Sequence, residues 1–180
     1  MTKSNFLNVK VDVQSKTIVM KAIIIGTSLS GKTTIVRYLR KNTDYNICEI
    51  DEELTRINGG TFPENTKKKD NVLAPKIIKQ ILKSENILFF TSTDYFSDKD
   101  LTDARNLDFK IIQLNLSLDE LRKRNEYRVK NEGYENMSQW LNGMNEYQER
   151  IFSKGLVDKR IDATQSTPKI VEELLDCFSE

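Results

Sequence analysis

Gly26, Gly31, Lys32 and Thr33 fall at the spacing G-x-x-x-x-G-K-T in the stretch GTSLSGKT. Two glycines at that distance let the backbone wrap an anion, so that successive N–H groups and the start of a following helix face it. A lysine directly after the second glycine reaches outer phosphate oxygens, and the threonine hydroxyl suits a bound Mg²⁺. Gly26, Thr27, Ser28, Leu29, Ser30, Gly31, Lys32, Thr33 and Thr34 are therefore expected to hold the phosphates of a purine nucleoside triphosphate. ATP and Mg²⁺ are the cofactors this implies.

Other chemistry-bearing residues lie further along. Asp51 follows the short apolar run YNICEI, where a carboxylate at the C-terminal edge of a parallel strand opens into a ligand crevice. Arg124 and Arg128 stand four apart and share one helical face. Asp94 lies three residues beyond the apolar run ILFF. There is no histidine, so acid–base work falls to carboxylates, Lys, Tyr or Cys. Cys48 and Cys177 are far apart without a metal-ligand pattern, as in a reduced intracellular protein.

The elements that must position these residues read as strand and helix in alternation. IVMKAIII is apolar almost throughout, as in a strand buried on both faces. The segment after GTSLSG places Ile35, Val36 and Leu39 on one helical face. YNICEI, NILFFTS, FKIIQLNL and LVDKRIDA read as the remaining strands. NVLAPKIIKQILKS reads as a helix with Pro75 in its first turn, Ser97 caps a helix over SDKDLTDARN, and Ser117 with Glu120 opens another. Trp140, Met144, Tyr147 and Ile151 read as a packing stripe on a helix that Gly155 closes, and Pro168 starts the last helix. The lysines at 67–69 read as solvated, and residues 6–13 alternate as an edge strand does. This order predicts an α/β chain with a five-stranded parallel sheet and helices on both faces.

The chain has 180 residues and a net charge of +1, which fits one domain without a global pull toward nucleic acid or membrane. No apolar run approaches the roughly 20 residues a membrane helix needs, and the N-terminus has no continuous apolar segment, so a cytoplasmic protein is expected.

On GTSLSGKT, CEIDEEL, LFFTSTDYF, LSLDELRKRNEYR and RIDATQSTPKIVEEL, residues 20–180 resemble the small P-loop kinases: adenylate, shikimate and gluconate kinases and the kinase domain of polynucleotide kinase. The resemblance implies a three-layer P-loop fold with a small helical lid at about 125–147, and leaves residues 1–19 as an extension or edge strand. It implies that Lys32 and Thr33 hold triphosphate and metal, and that Asp51 orients or deprotonates an acceptor hydroxyl, with Glu49 as its companion acid. It also implies that Asp94 serves Mg²⁺ or its water shell, and that Arg124 and Arg128 close over the transferred phosphoryl, with Gly133 as hinge. Ala163 to Ser166 would face adenine, Arg56 an anionic acceptor, Ser92 or Thr93 phosphate, and Arg150 would add a further lid arginine. Plainer readings stand beside these: Asp51 as a helix cap, Asp94 as a turn residue, the arginines as a solvated face. A GTPase is excluded by the lack of N-K-x-D and D-x-x-G, and an AAA-type motor by the lack of chain for a lid domain.

The expected activity is transfer of the γ-phosphoryl of ATP to a small acceptor, a hydroxyl in preference to a phosphate. The alternatives are a nucleoside monophosphate kinase or polynucleotide 5′-kinase and, from another class, an ATP-binding regulatory or assembly protein. A small-molecule partner is favoured over nucleic acid.

Overall fold

The computed structural model describes residues 19–92 and 94–179. The expected strand over residues 6–13, and Thr93, lie outside the described residues. Five parallel strands form one sheet in the order β2-β3-β1-β4-β5: β1 is Lys21–Gly26, β2 Ile47–Glu49, β3 Ile87–Thr91, β4 Lys110–Asn115 and β5 Lys159–Asp162. The helices are α1 Lys32–Asn42, α2 Ile50–Ile57, α3 Thr66–Lys68, α4 Ala74–Ile81, α5 Asp98–Asn106, α6 Leu118–Glu132, α7 Ser138–Ser153 and α8 Thr167–Asp176, with a π-helical turn at Lys69–Leu73.

Strand periodicity sorts the core into two layers. Ile23, Ile25, Phe89 and Ile111 face α2, α4 and α5, while Ala22, Ile24, Leu88, Phe90, Ile112 and Leu114 face α1 and α8. Both sets are buried because β1 lies between β3 and β4, with Ile23 in register with Phe89 on one side and Ile111 on the other. Between β3 and β4 the chain crosses from one side of β1 to the other. In open parallel sheets the crevice for ligands lies at the carboxyl ends of the strands at such a crossing.

Local signals in the sequence account for most helix ends. Ile35, Val36 and Leu39 are buried on α1 as their spacing predicts. Ser97 and Asp100 form a reciprocal capping box on α5. Ser117 accepts from Glu120 N at 3.2 Å, but the Glu120 carboxylate turns to Arg124 instead of closing the box. Gly155, at φ 67°, closes α7, and Leu156 N donates back to Ile151 O at 3.0 Å.

Two expectations change. The stripe on α7 is Leu141, Tyr147, Gln148 and Ile151; Trp140 is 42% exposed. Leu141 packs into the core layer of α1 and α8, whereas Tyr147 and Ile151 pack into the other, so the buried face turns along α7. The helical stretch holding Pro75 begins earlier than expected, at Thr66. The π turn precedes Pro75, and within it Ala74 N donates to the carbonyl of Lys69, five residues back.

Candidate active site

The crossing of the sheet opens into a crevice of about 930 Å³, lined among others by Ser28, Leu29, Gly31, Lys32, Thr33, Thr34, Glu49, Asp51, Ser92, Arg124 and Arg128. Residues from four separate segments of the sequence thus meet in one cleft, as the spacing arguments require.

The loop over residues 26–31 is built for a close anion. Gly31 is the N-cap of α1 at φ 88°, a left-handed conformation that favours glycine. A Cβ at position 26 would collide with Ser30 Oγ. Lys32 Nζ donates to the carbonyls of Gly26 and Thr27, both at 2.8 Å, so the ammonium lies along the loop. Burial lowers its pKa to about 8, and the negative charges of Asp51 and Glu49 act against that shift. The loop, its ammonium and the start of α1 fit a triphosphate.

Thr33 Oγ1 lies 3.5 Å from Glu49 Oε1, a loose contact between two hard oxygen donors of the kind that Mg²⁺ or its water shell takes. Glu49 is the N-cap residue of α2 without a side-chain cap bond, and burial raises its carboxyl pKa. Asp51 lies two residues past the end of β2, in the first turn of α2, and not on the strand itself. Since the N-cap residue of α2 is Glu49, Asp51 is not the cap of that helix. Its carboxylate is open to the crevice, yet the surrounding walls displace hydration. That desolvation raises its pKa, while the charges of Lys32 and Lys69 pull it back.

Arg124 and Arg128 have separate duties. Arg124 donates through Nε to Glu120 Oε1 at 3.2 Å, through Nη1 to Leu29 O at 3.1 Å and through Nη2 to Ala163 O at 3.0 Å. It therefore fastens α6 to the phosphate-binding loop and to the 163–166 loop at once. Arg128 lies over the Tyr134 ring, 3.5 Å from its centroid, and donates to Glu132 at 3.2 Å. The expected lid is a helical hairpin: the C-terminal half of α6, the connection 133–137 and the start of α7. Asn125, buried, pins that connection, donating to Asn136 Oδ1 at 2.8 Å and Ser138 Oγ at 3.0 Å and accepting from Met137 N at 2.9 Å. Gly133 is the left-handed C-cap of α6.

Three expected residues are not brought to the crevice. Asp94, in a turn at φ 75°, lies in the fields of Arg150 and Asp70 and does not line the cleft. Arg150 pairs with Asp98, and Arg56 with Glu53. Conversely, Arg37, Lys123, Tyr127 and Tyr134 line the crevice without having been singled out. Arg37 carried a usable signal, being one helical turn beyond Thr33 on α1. Tyr127 and Tyr134, 61% and 55% exposed, carried none. Cys48 is half-buried, and burial pushes its thiol up to about 12, which removes it as a nucleophile.

No protein-family model matches the chain, and no curated protein matches it in sequence. Solved structures do match in shape. A shikimate kinase from Aquifex aeolicus, 18% identical, superposes with a TM-score of 0.65 over 89% of this chain and 96% of its own. A gluconokinase from Sinorhizobium meliloti, 19% identical, gives 0.60 over 90% and 93%. A deoxyadenosine kinase from M. mycoides, 19% identical, gives 0.56 over 89% and 98%. With the five-stranded parallel order and the loop after β1, these likenesses show that the chain has the fold of the small P-loop kinases.

Proposed function

We propose that this protein transfers the γ-phosphoryl group of ATP to a hydroxyl group of a small acceptor. The observation that carries this reading is the carboxylate of Asp51 in the same crevice as Lys32 of the phosphate-binding loop. A phosphate acceptor is already a nucleophile and needs no base; a hydroxyl gains from one. The kinases that the fold resembles include proteins named for shikimate, gluconate and deoxyadenosine, each of which offers a hydroxyl.

In this reading the loop and Lys32 hold the triphosphate, and Thr33 with Glu49 holds the metal site in place of Asp94. Bound Mg²⁺ would neutralise charge on the phosphate oxygens. Asp51 aligns the hydroxyl and takes its proton; its raised pKa brings it nearer to neutrality, where such a base is most effective. Arg128, beside the crevice, supplies positive charge to the phosphoryl group in flight, and Arg124 keeps the loop in shape. Most of the acceleration comes from position and charge.

The cations Arg37, Lys123 and Arg128, with the exposed rings of Tyr127 and Tyr134 on the same cleft, favour as second reading an acceptor that is itself a nucleotide or a polynucleotide 5′-end. A phosphoryl-transfer screen separates them. Metabolites, nucleosides, nucleoside monophosphates and 5′-hydroxyl oligonucleotides are offered with ATP and Mg²⁺, and ADP is measured against the acceptor-free rate. A rate no higher than that background with every class would remove the kinase reading.

A further inference from the structure

Tyr127 is the most exposed aromatic residue among the described residues, at 61%, and it lines the crevice from α6. Among those residues its ring has no aromatic partner and no cation over it. The Tyr134 ring, by contrast, is covered by Arg128 at 3.5 Å. Lys123, one helical turn before Tyr127, also lines the crevice, and among the described residues it makes no ion pair and no hydrogen bond. An open aromatic face beside an uncommitted cation suits a planar base that carries phosphate.

The order of the strands decides which end of a bound triphosphate comes to Tyr127. The loop over residues 26–31 follows β1. Glu49 and Asp51 follow β2 on one side of it, and α6 follows β4 on the other. A metal ion in such a site bridges the β- and γ-phosphates. With Thr33 and Glu49 as its donors, the γ end lies on the side of Asp51 and the α end on the side of α6. The nucleoside therefore meets the wall that carries Lys123 and Tyr127.

The loop expected to face adenine is closed to that role. None of Ala163 to Ser166 lines the crevice; Ala163 is buried, and its carbonyl accepts from Arg124 Nη2 at 3.0 Å. Among the described residues no Asn or Gln lines the crevice, and the carboxylates of Glu120 and Glu132 are engaged by Arg124 and Arg128. Groups that read the hydrogen-bonding edge of one base are thus missing beside Tyr127, whereas stacking is open to every base, since each has a π-face.

We propose that the ring of Tyr127 is the platform for the base of the phosphoryl donor, and that the site takes purine nucleoside triphosphates without telling adenine from guanine. The proposal deepens the kinase reading above and rests on it for the role of donor. Tyr127 takes no part in bond exchange; the loop anchors the phosphates, and the ring adds the base.

The test is calorimetric titration, with Mg²⁺, of ATP, GTP and inorganic tripolyphosphate, which has the phosphates and no base. The wild-type chain, Tyr127→Ala and Tyr127→Phe are compared, and transfer from ATP is followed in parallel. ATP and GTP should bind the wild type within about tenfold of each other, and each about 5- to 100-fold more tightly than tripolyphosphate, the usual weight of one stacked base. Tyr127→Ala should remove that advantage and Tyr127→Phe should keep it. Tripolyphosphate should bind all three alike, which also shows that the variants are folded. A larger preference for either purine, or an advantage over tripolyphosphate that survives Tyr127→Ala, overturns the proposal. A tyrosine that holds an acceptor nucleotide would leave ATP affinity unchanged in Tyr127→Ala while transfer to that acceptor falls, which also overturns it. Stacking that depends on Tyr127, without transfer to any acceptor class, would keep the platform and discard the kinase reading. Transfer from ATP whose KM ignores Tyr127→Ala would do the reverse.

Discussion

Arg124 Nη1 donates to the carbonyl of Leu29 at 3.1 Å, and Leu29 holds a positive φ of 72° in the phosphate-binding loop. A leucine in the left-handed region is strained, and surrounding contacts must hold it there. Arg124→Ala should release that carbonyl and the one at Ala163. ATP affinity should fall by about 10- to 100-fold, equivalent to ~1.4–2.8 kcal/mol. Calorimetric titration with ATP checks this, and unchanged affinity would return Arg124 to the mobile part of the lid.

Lys32 should reveal itself through protons. Its pKa of about 8 means that part of the population is neutral above that pH. A bound polyanion favours the charged form, so ATP binding at about pH 8.5 should take up protons. Calorimetry in buffers of different ionisation enthalpy measures the uptake. Lys32→Met should abolish both the uptake and nearly all transfer while the fold persists. For stability the sign is set by the lowered pKa: the unfolded chain binds the extra proton between about 8 and the ordinary lysine value. The contribution of Lys32 therefore rises with pH across that window. A pH-independent stability difference between wild type and Lys32→Met would contradict the burial of this ammonium.

Asp51→Asn keeps size and removes charge. With a hydroxyl acceptor, transfer should drop by roughly 10²–10⁴-fold, the usual share of a general base, with ATP affinity almost unchanged. The wild-type rate should fall on acidification at a pH above the ordinary aspartate range, because burial raises the pKa of the base that must be ionised. The acidic limb should vanish in Asp51→Asn. Near-wild-type transfer by the variant would take Asp51 out of the chemistry.

Arg128 is held at rest by Glu132 and by the ring of Tyr134. Both contacts are local, so the guanidinium is available to the crevice once they give way. Arg128→Ala should lower kcat more than it raises the KM for ATP, since its contact matters most in the transition state. Steady-state kinetics decide this; an effect on KM alone would place Arg128 on the ground-state nucleotide.

The phosphate-binding loop was legible because its requirements are those of the backbone. Glycine at 26 and 31 and lysine at 32 leave a pattern that no packing detail can hide. The sheet was legible too, since β1, β3 and β4 are buried on both faces and read as continuous apolar runs. Side chains whose destination depends on how one helix lies over another were not. Lys123 reaches the crevice only because α6 is held against the loop, where Arg124 donates to Leu29 O. Asp94 takes a positive φ in the turn after β3 and is not among the residues lining the crevice, which its distance from the apolar run could not disclose. Trp140 was misplaced because α7 passes from one core layer to the other, so a single helical stripe does not describe it. The run at 67–69 reads as uniform charge, and only the π turn separates Lys69 from its neighbours.

Arg124 reaches Leu29 and Ala163 through their carbonyl oxygens, atoms that every amino acid carries. The fastening of the loop is therefore indifferent to the letters at 29 and 163 and depends on one guanidinium on α6. Mutational drift can rewrite both loops and leave the joint intact, whereas loss of the single arginine opens it at two places.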